Sequence, residues 1–343
     1  MACLPLGGAL NFGLNAQLEF TATDALRSAI ASAGRTEDVK FSPDDRRLAI
    51  ALFNAEKCLL VDIDMDFAPG RRTIRLKNLI EIASPDLRQP HGLAFLDAET
   101  LIVANRVGRL QIFKLPPRGS KAGSITLRAE AMDGEATFEK VNSPGSVAVS
   151  PLGEERYDVL ACNNYAHQVT RHRLIGGGRM EVRRNKVLLE HGLNLPDGVA
   201  FSPAARWIAI SNHNTGSVVM YRNNRRLDRS SDPAGYLRGA GYPHGVRFTA
   251  AGQFEFVADA GMPVVHVYFA VSGSWRGTRD PMVSLRVLNE EAYRRGRTNR
   301  EEGGPKGIDI DGGMRVLATT CWEQPLAFFD LRAMLKKIEH RSI

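Results

Sequence analysis

The sequence predicts an all-β fold, a six-bladed β-propeller in which residues 1–343 form one domain. Three observations support this prediction: an apolar alternation recurs six times, its spacing is nearly constant, and short strands rather than helices fill each interval. The repeats begin near residues 38, 92, 146, 198, 245 and 307, so successive starts lie 47 to 62 residues apart. Repeats of this length that are filled by strands are typical of propeller blades.

Each repeat reads as a series of short strands. The first strand is typified by Gly198-Val199-Ala200-Phe201, and the second is rich in β-branched and apolar residues, as in residues 101–104. A third strand follows, as in residues 216–221. The predicted fourth strands are residues 72–82, 124–131, 180–189 and 282–288. The fourth repeat has no clear candidate for this strand.

Closure of the ring requires a strand from outside the last repeat, because residues 331–340 have the pattern of a helix or a frayed end. Residues 16–21 alternate well and precede the first repeat. We expect them to form the outer strand of the sixth blade, since radial closure leaves only short, protected sheet edges. Residues 24–32 are predicted to form a short helix capped by Thr23 or Asp24.

Composition favours a globular protein of the cytoplasm without a membrane span. The chain is 43% apolar and 24% charged, it contains no run of 18 apolar residues, and its start lacks the features of a secretory signal. Its four cysteines form no C-x-x-C pair, which favours reduced and mostly buried thiols. The net charge of +7 is concentrated in residues 222–229 and 293–300, which together carry eight arginines. Without interleaved aromatic residues, these stretches predict solvated edges and no specific nucleic-acid partner.

One residue in each repeat is expected at the mouth of the central channel. It is the residue just before the innermost strand, and equivalent positions in a closed propeller converge on its axis. These residues are Glu37, His91, Gly145, Asp197, His244 and Lys306. The order of the blades places Glu37 across the channel from Asp197, and His91 across from His244. The ends of the second strands are expected on the same face: Asn54, Asn105, Asn163, Asn212, Asp259 and, in the last repeat, Trp322 and Glu323.

Imidazoles and carboxylates that converge on one axis predict either a divalent metal site or a metal-free acid/base site. The predicted catalytic residues are His91, His244 and Lys306. The predicted metal ligands are Glu37, Asp197, His91 and His244, with Ca²⁺, Mg²⁺ or Zn²⁺ as the ion. The predicted substrate contacts are Asn105, Asn163, Asn212, His213, Asp259 and Trp322. Lys306 is expected to pair with Glu37 or Asp197, or to bind an anionic substrate group.

The repeats resemble those of the six-bladed NHL, YVTN and SMP-30/gluconolactonase-like propellers over nearly the whole chain. The phrases that carry the resemblance are Leu195-Pro196-Asp197-Gly198-Val199-Ala200-Phe201-Ser202-Pro203, Pro90-His91-Gly92-Leu93-Ala94-Phe95 and Leu101-Ile102-Val103-Ala104-Asn105. That superfamily includes metal-dependent lactone hydrolases, streptogramin and peptidyl-amide lyases, and non-catalytic binding modules. The resemblance therefore implies the fold and leaves the function open.

Two groups within that superfamily match different residues. SMP-30-like hydrolases hold their metal with a Glu of the first blade, an Asp and two Asn, and Glu37 and Asp197 are similar in position. His91 and Gly145 depart from that pattern. In the streptogramin-lyase and amidating-lyase groups, Pro-His-Gly or His-Ser turns supply functional histidines, which His91 and His244 resemble. The sequence thus predicts a hydrolase or lyase for a small polar or anionic substrate. The alternative is a non-catalytic module that binds a protein or another anionic partner.

Overall fold

The computed structural model of the chain describes residues 12–134, 138–177 and 179–339. They form six antiparallel sheets arranged as the blades of a propeller, which confirms the predicted fold class. The innermost strands of adjacent blades contact one another all the way round, including those of the sixth and first blades. The assignment of all 343 residues to one domain stays a prediction, because both chain ends lie outside the described part.

Blades 1 to 3 follow one another along the chain, and their strands are given from the innermost outward. Blade 1 consists of Thr36–Phe41, Arg47–Leu52, Lys57–Asp66 and Thr73–Ala83. Blade 2 consists of Pro90–Asp97, Thr100–Asn105 and Leu110–Lys114. Blade 3 consists of Pro144–Pro151, Arg156–Asn163, Gln168–Ile175 and Met180–Leu189.

Blades 4 to 6 complete the ring in the same order. Blade 4 consists of Pro196–Phe201, Trp207–Asn212, Ser217–Arg222 and Gly235–Leu237. Blade 5 consists of Pro243–Phe248, Phe254–Asp259, Val264–Phe269 and Val283–Arg286. Blade 6 consists of Gly307–Ile310, Val316–Thr320, Ala327–Asp330 and Gln17–Leu18. The α-helices are Phe12–Asn15, Asp24–Ala31, Glu290–Gly296 and Leu331–Glu339, and short 3-10 turns occur at Pro203–Ala205, His213–Thr215 and Val271–Gly273.

The segment near the N-terminus closes the ring as predicted, but only its first part does so. Gln17–Leu18 pairs antiparallel with Ala327–Asp330 of blade 6. Phe20–Thr21 instead pairs in parallel with the outer strand of blade 1. The segment therefore joins the two neighbouring blades across the point of closure. Thr23 caps the following helix by accepting a hydrogen bond from the Leu26 amide.

The predicted fourth strand of blade 2 was wrong. Gly123–Thr126, which overlaps residues 124–131, pairs in parallel with the outer strand of blade 1. That strand is 11 residues long and has a free edge for pairing. Blade 2 therefore has three strands among the described residues. The fourth strand of blade 4, which the sequence did not locate, is Gly235–Leu237, and Gly277–Arg279 extends that sheet in parallel. Met132–Gly134 likewise extends blade 3.

The core consists of apolar clusters that fill the spaces between adjacent blades. One cluster packs blade 1 against blade 2 through side chains such as Leu60 and Val103. Another packs blade 3 against blade 4, with Leu160 and Ile210 fully buried. These clusters hold the blades at fixed angles, so the loops at the channel mouth rest on a rigid frame.

Within the described residues, no helix is both long and apolar enough to cross a lipid bilayer. Cys58, Cys162 and Cys321 are buried free thiols, and Cys3 lies outside the described residues. Burial raises the pKa of the Cys58 thiol to about 12. These thiols are therefore packing residues and not ionised nucleophiles.

Candidate functional site

A recurring β-bulge places the mouth residues. In five blades the pairing between the innermost and second strands shifts register at the first residues of the innermost strand, as between Pro196 and Val199 in blade 4. A bulge re-aims a side chain relative to the regular alternation of a strand. It therefore lets Glu37, His91, Asp197 and His244 point toward the axis from equivalent positions.

Glycines beside these residues let the innermost strands approach closely. A Cβ atom on Gly198 would lie 2.0 Å from the carbonyl oxygen of His244, and one on Gly145 would lie 2.4 Å from Asp197 Oδ1. A side chain at either position would collide with the mouth of the channel. These glycines therefore allow the six strands to form a narrow ring, here called the mouth ring and defined by Glu37, His91, Gly145, Asp197, His244 and Lys306.

Two fully buried carboxylates organise the mouth ring. Glu37 Oε1 accepts hydrogen bonds from Lys306 Nζ at 3.0 Å and from Arg35 Nε. Glu37 Oε2 lies 3.4 Å from Nε2 of His91 and 3.4 Å from Nε2 of His244. Each carboxylate of the ring thus has one oxygen bound to cations or amides and one directed at imidazoles, as Asp197 also shows.

Asp197 repeats this division on the other side. Its Oδ1 accepts hydrogen bonds from Arg106 Nη2 and from Asn164 Nδ2, both at 3.1 Å. Its Oδ2 lies 3.2 Å from His244 Nε2 and 3.6 Å from His213 Nε2. His244 therefore stands between the two carboxylates.

The imidazoles pack against one another at the centre of the ring. The rings of His91 and His244 stack with centroids 5.2 Å apart, and those of His213 and His244 lie 5.4 Å apart. His91 Nδ1 is 2.6 Å from the carbonyl oxygen of Gly145, so it carries the hydrogen and donates it. Its other nitrogen, Nε2, accepts from Arg106 Nη2 at 2.7 Å. His91 is thereby fixed as one neutral tautomer.

Opposing effects set the protonation of these groups. Burial disfavours ionised Glu37, but Lys306 and His91 overcome it and hold the pKa of this carboxyl well below its usual range. Burial likewise opposes ionised Asp197, yet the neighbouring histidines, with His244 foremost, lower its pKa. Burial, reinforced by Arg106, lowers the pKa of His91 to about 3. Burial also opposes a charge on His244, but Asp197 and Glu37 outweigh it and raise the pKa of this imidazole. The pKa values of the stacked imidazoles His91 and His244 are therefore shifted in opposite directions.

Four buried atoms of this cluster have no hydrogen-bond partner among the described residues. They are Glu37 Oε2, Asp197 Oδ2, His213 Nε2 and His244 Nε2. Buried polar atoms in proteins are nearly always satisfied, and these four face one another at 3.2 to 3.6 Å, so either a proton on the imidazoles or a bound ion would satisfy them. Ligand atoms about 2.1 Å from a tetrahedral zinc ion lie about 3.4 Å apart. In the group Asp197–His213–His244 the separations of 3.2 and 3.6 Å match that spacing, whereas Glu37 belongs to a separate group with His91 and His244.

Cations balance the carboxylates around the ring. Lys306 Nζ also contacts Glu302 Oε2 at 2.9 Å, and Arg35 Nη2 is 3.7 Å from the same atom. Lys306 therefore turns toward Glu37 and Glu302, in the direction that the sequence predicted for it. Arg106 is the cation directed at the imidazoles, and its side chain keeps 12% of its surface exposed.

The side chains at the ends of the second strands bond to the loops that enter each blade, and their predicted contact with substrate stays a prediction. Asn105 Oδ1 accepts from the Arg88 amide at 3.0 Å, and Asn163 Oδ1 accepts from the Asn142 amide at 2.9 Å. Asn212 is engaged in the same way by the loop before blade 4. Asp259 accepts from the amides of Gly241, Tyr242 and Gly261 and contacts His266. These side chains brace the loops that enter each blade.

The residues that reach the ring lie one position later. Arg106, Asn164 and His213 directly follow Asn105, Asn163 and Asn212, and all three contact Asp197. Successive side chains of a strand point to opposite sides. A shift of one residue therefore separates a side chain that bonds to a loop from one that contacts the mouth ring. His213 was predicted, whereas Arg106, Asn164, Arg35 and Glu302 were not. The two-residue alternation of side chains along the second strands was the signal that could have identified Arg106 and Asn164.

The remaining predicted positions lie at the edge of the site. Trp322 lines a small cavity of about 10 Å³ together with Arg35, Glu302 and Lys306. Asn54 is exposed, and Glu323 pairs with Arg295 at 2.9 Å. A second cavity of about 10 Å³ lies at the mouth ring itself and is lined by all six of its residues. Such a volume holds one water molecule or one ion and no organic substrate.

The fold and the ring define a class: a six-bladed propeller with a histidine-and-carboxylate site at one channel mouth. No family model matches the chain, and no curated protein matches it in sequence. Three similar solved structures show the same fold. A gluconolactonase from Xanthomonas campestris has a TM-score of 0.57 at 14% identity, covering 88% of this chain and 87% of that one. A chain of a nidogen/laminin complex has a TM-score of 0.52 at 13% identity, covering 87% of this chain and 90% of that one. The calcium-binding protein regucalcin from Agrobacterium tumefaciens has a TM-score of 0.50 at 13% identity, covering 87% of this chain and 92% of that one. The chain thus has the six-bladed propeller fold that its repeats predicted.

Proposed function

We propose that the mouth ring is a metal-assisted hydrolytic site for a small anionic ester or lactone. The observation that carries this proposal is the set of four buried, unpartnered atoms on Glu37, Asp197, His213 and His244. Each can donate a lone pair to a metal ion when the imidazoles are neutral, and the atoms of Asp197, His213 and His244 are spaced for one ion. The same residues fall into the two groups of potential metal ligands, Glu37–His91–His244 and Asp197–His213–His244.

The donor set favours a transition metal such as Zn²⁺ over Ca²⁺ or Mg²⁺. Imidazole nitrogens suit zinc and its neighbours, whereas calcium and magnesium take oxygen ligands almost alone. His91 has the arrangement usual for a metal-binding imidazole, since its Nδ1 donates to a backbone carbonyl. When bound, such an ion supplies Lewis-acid chemistry toward a carbonyl and lowers the pKa of a water molecule.

The chain itself supplies the means to bind an anion beside that position. Arg106 reaches the ring from the rim, and its guanidinium is a bidentate donor that suits a carboxylate. Lys306 adds a second cation, held in place by Glu37 and Glu302. Because the cavity at the ring holds only one small species, the substrate lies on the outer side, next to Arg106 and the exposed Tyr165.

The structural neighbours support this interpretation without deciding it. One neighbour is described as a gluconolactonase, and another is described as a calcium-binding protein. The nidogen/laminin chain shows that the same fold occurs in a protein–protein complex. A small-molecule substrate is therefore the partner that the buried ring favours, and a protein partner is the alternative.

Metal binding gives the first test. We expect chelator-treated protein to bind about one equivalent of Zn²⁺ or Mn²⁺ by calorimetry, and to bind Ca²⁺ more weakly. The variant His213→Gln with His244→Gln should lose this binding while remaining folded by circular dichroism. His191→Gln is the matched control, because His191 is 64% exposed and pairs only with the exposed Asp232. Equal metal binding by both variants would remove the basis of the proposal.

Catalysis is tested with a panel of lactones, esters and elimination substrates, with and without each metal. We expect hydrolysis of anionic lactones or esters, lost in His91→Ala with His244→Ala. Elimination is the second candidate, favoured by the neutral His91 imidazole, whose Nε2 becomes a free proton acceptor when Arg106 turns from it to an anionic substrate. Formation of an unsaturated product in place of a hydrolysed one would select the lyase. Metal binding without turnover of any substrate would favour a binding module.

A further inference from the structure

A second polar cleft lies between blades 3 and 4, far from the mouth ring. It encloses about 420 Å³, which is within the usual range for small-molecule sites. Asp158 lines the cleft, five residues before the mouth end of its strand, Arg156–Asn163. The loop 223–227, which also lines it, follows the end of Ser217–Arg222 that points away from the mouth. The cleft therefore opens toward the opposite end of the propeller.

The cleft is lined by five cations and one carboxylate: Arg171, Arg173, Arg184, Lys186, Arg225 and Asp158. Asp158 is already committed, because both its oxygens accept hydrogen bonds from Arg171. Arg173 lies directly opposite Asp158 across the strands, yet its Nε is buried and has no hydrogen-bond partner among the described residues. The carboxylate thus neutralises one cation and leaves the others without a counter-ion among the residues that line the cleft.

The register of blade 3 places cations of the cleft directly opposite one another on neighbouring strands. Arg171 pairs directly with Lys186, and Arg173 pairs directly with Arg184, on the face of the sheet that turns toward blade 4. Like charges directly opposite one another destabilise a sheet. Because Asp158 neutralises Arg171, the pair Arg173–Arg184 is the one whose repulsion is a cost to the fold that a bound anion would remove.

The other arginine-rich stretch provides a contrast. Residues 293–300 begin within the helix Glu290–Gly296, and Arg294 and Arg295 are exposed there, as expected of a solvated edge. There Arg294 and Arg295 pair with Glu290 and Glu291. In the first stretch, Arg229 pairs with Glu190, whereas Arg225 lines the cleft. Arg229, Arg294 and Arg295 thus each have an acidic partner, whereas Arg173, Arg184 and Arg225 converge on the cleft without one among its lining residues.

We propose that this cleft binds a small multivalent anion carrying phosphate groups. Arginine forks match the oxygens of phosphate and accept a dispersed negative charge. The lining residues include no phenyl, phenol or indole ring on which a nucleobase could stack. The ligand is therefore recognised by its phosphate groups, and a nucleic acid read through its bases does not fit.

Binding is tested on the full-length protein with tripolyphosphate, pyrophosphate and inorganic phosphate as probes, at constant ionic strength. We expect saturable calorimetric binding that strengthens with the charge of the probe. The variant Arg173→Gln with Arg184→Gln should weaken tripolyphosphate binding at least tenfold. The matched control is Arg128→Gln with Arg300→Gln, which removes two exposed arginines elsewhere and should leave the affinity within twofold.

Stability without ligand gives an independent readout. Because the cleft variant relieves an opposed pair of cations, it should melt at a higher temperature than the parent when no anion is present. The probes should then raise the melting temperature of the parent and of the control but not that of the cleft variant. Equal stabilisation of all three proteins, or tighter binding of a mixed-sequence oligonucleotide than of tripolyphosphate, would overturn the proposal. A loss of lactone or metal chemistry at the mouth ring would leave these results unchanged.

Discussion

Glu37 and Glu255 are both glutamates with at most 1% of their surface exposed, in the first and fifth blades. Glu37 meets Lys306 and Arg35, and its pKa lies well below the usual range despite its burial. Glu255 lies opposite Tyr268 across the strands, and neither of its oxygens has a hydrogen-bond partner among the described residues. Burial alone raises the pKa of Glu255 well above the usual range. The partners of a buried acid, more than its depth, decide whether it carries charge.

The same comparison separates a site from a packing position. At the mouth ring, charges are concentrated, balanced and directed at one point, at which several lone pairs remain free. At Glu255 a single group is neutralised by taking up a proton. Perturbed proton affinity is common to both, so it is the convergence of groups at the ring that marks a candidate site.

The largest expected effect comes from breaking the pairing of Glu37. Glu37→Gln removes the buried carboxylate between Lys306 and Arg35 and leaves them only the more exposed Glu302 as a shared acid. We expect a loss of about 3–5 kcal/mol in the free energy of unfolding, the usual cost of removing one partner of a buried ion pair. Urea denaturation at neutral pH measures it. Glu99→Gln, at an exposed position, should change the same quantity by less than about 0.5 kcal/mol.

A smaller effect is expected from crowding the ring without changing its charges. Gly145→Ala would place a methyl group 2.4 Å from Asp197 Oδ1, so the carboxylate or the strand must move. We expect a cost of about 1–3 kcal/mol, together with weaker metal binding. Gly312→Ala is the control, since its Cβ would lie 3.4 Å from the nearest atom, Asp45 Oδ1. If both variants were equally stable, the close packing of the ring would be irrelevant to its geometry.

Glu255 should show the opposite pH dependence from a paired acid. Because its pKa is raised in the folded protein, its contribution to stability is full below its unfolded value of about 4.3 and is lost as the pH rises through the folded value. Glu255→Met should therefore stabilise the protein by about 1 kcal/mol near pH 8, and by less near pH 4. Thermal melting at both pH values measures this. A gain that does not change with pH would show that Glu255 does not titrate in the folded protein.

The smallest expected effect is a difference in how salt changes the stability contributions of the cleft cations and of the buried Glu37 pairs. Lowering the salt concentration from about 0.15 M to about 0.01 M lengthens the screening distance from about 8 Å to about 30 Å. The cations of the blade 3–4 cleft should then repel one another more strongly. We expect Arg173→Gln with Arg184→Gln to gain a few tenths of a kcal/mol over the parent at low salt and less at high salt. Stability differences measured for Glu37→Gln should change little, because buried pairs are weakly screened.

Much of the fold could be predicted because the repeat is encoded in local sequence. The spacing of the six repeat starts, four of which are Gly92, Gly198, Gly245 and Gly307, indicated where the innermost strands begin. The residues immediately before these six starts form the ring that the structure shows. The outer strands were harder to predict. Residues 124–131 have strand character, but whether they join blade 2 or blade 1 depends on which edge is free, and that is a property of the assembled sheets.

The sequence by itself determined the number of blades, the ring residues and the presence of histidines and carboxylates on one axis, because periodicity and composition are local. Only the tertiary structure decided which side of each second strand faces the axis. It assigned Asn105 to a loop brace and Arg106 to the ring, although they are adjacent in the chain. It also decided which charges find partners, leaving Glu255 neutral and the cleft cations unmatched. Pairing depends on residues brought together from distant blades, and no local pattern records which of them will meet.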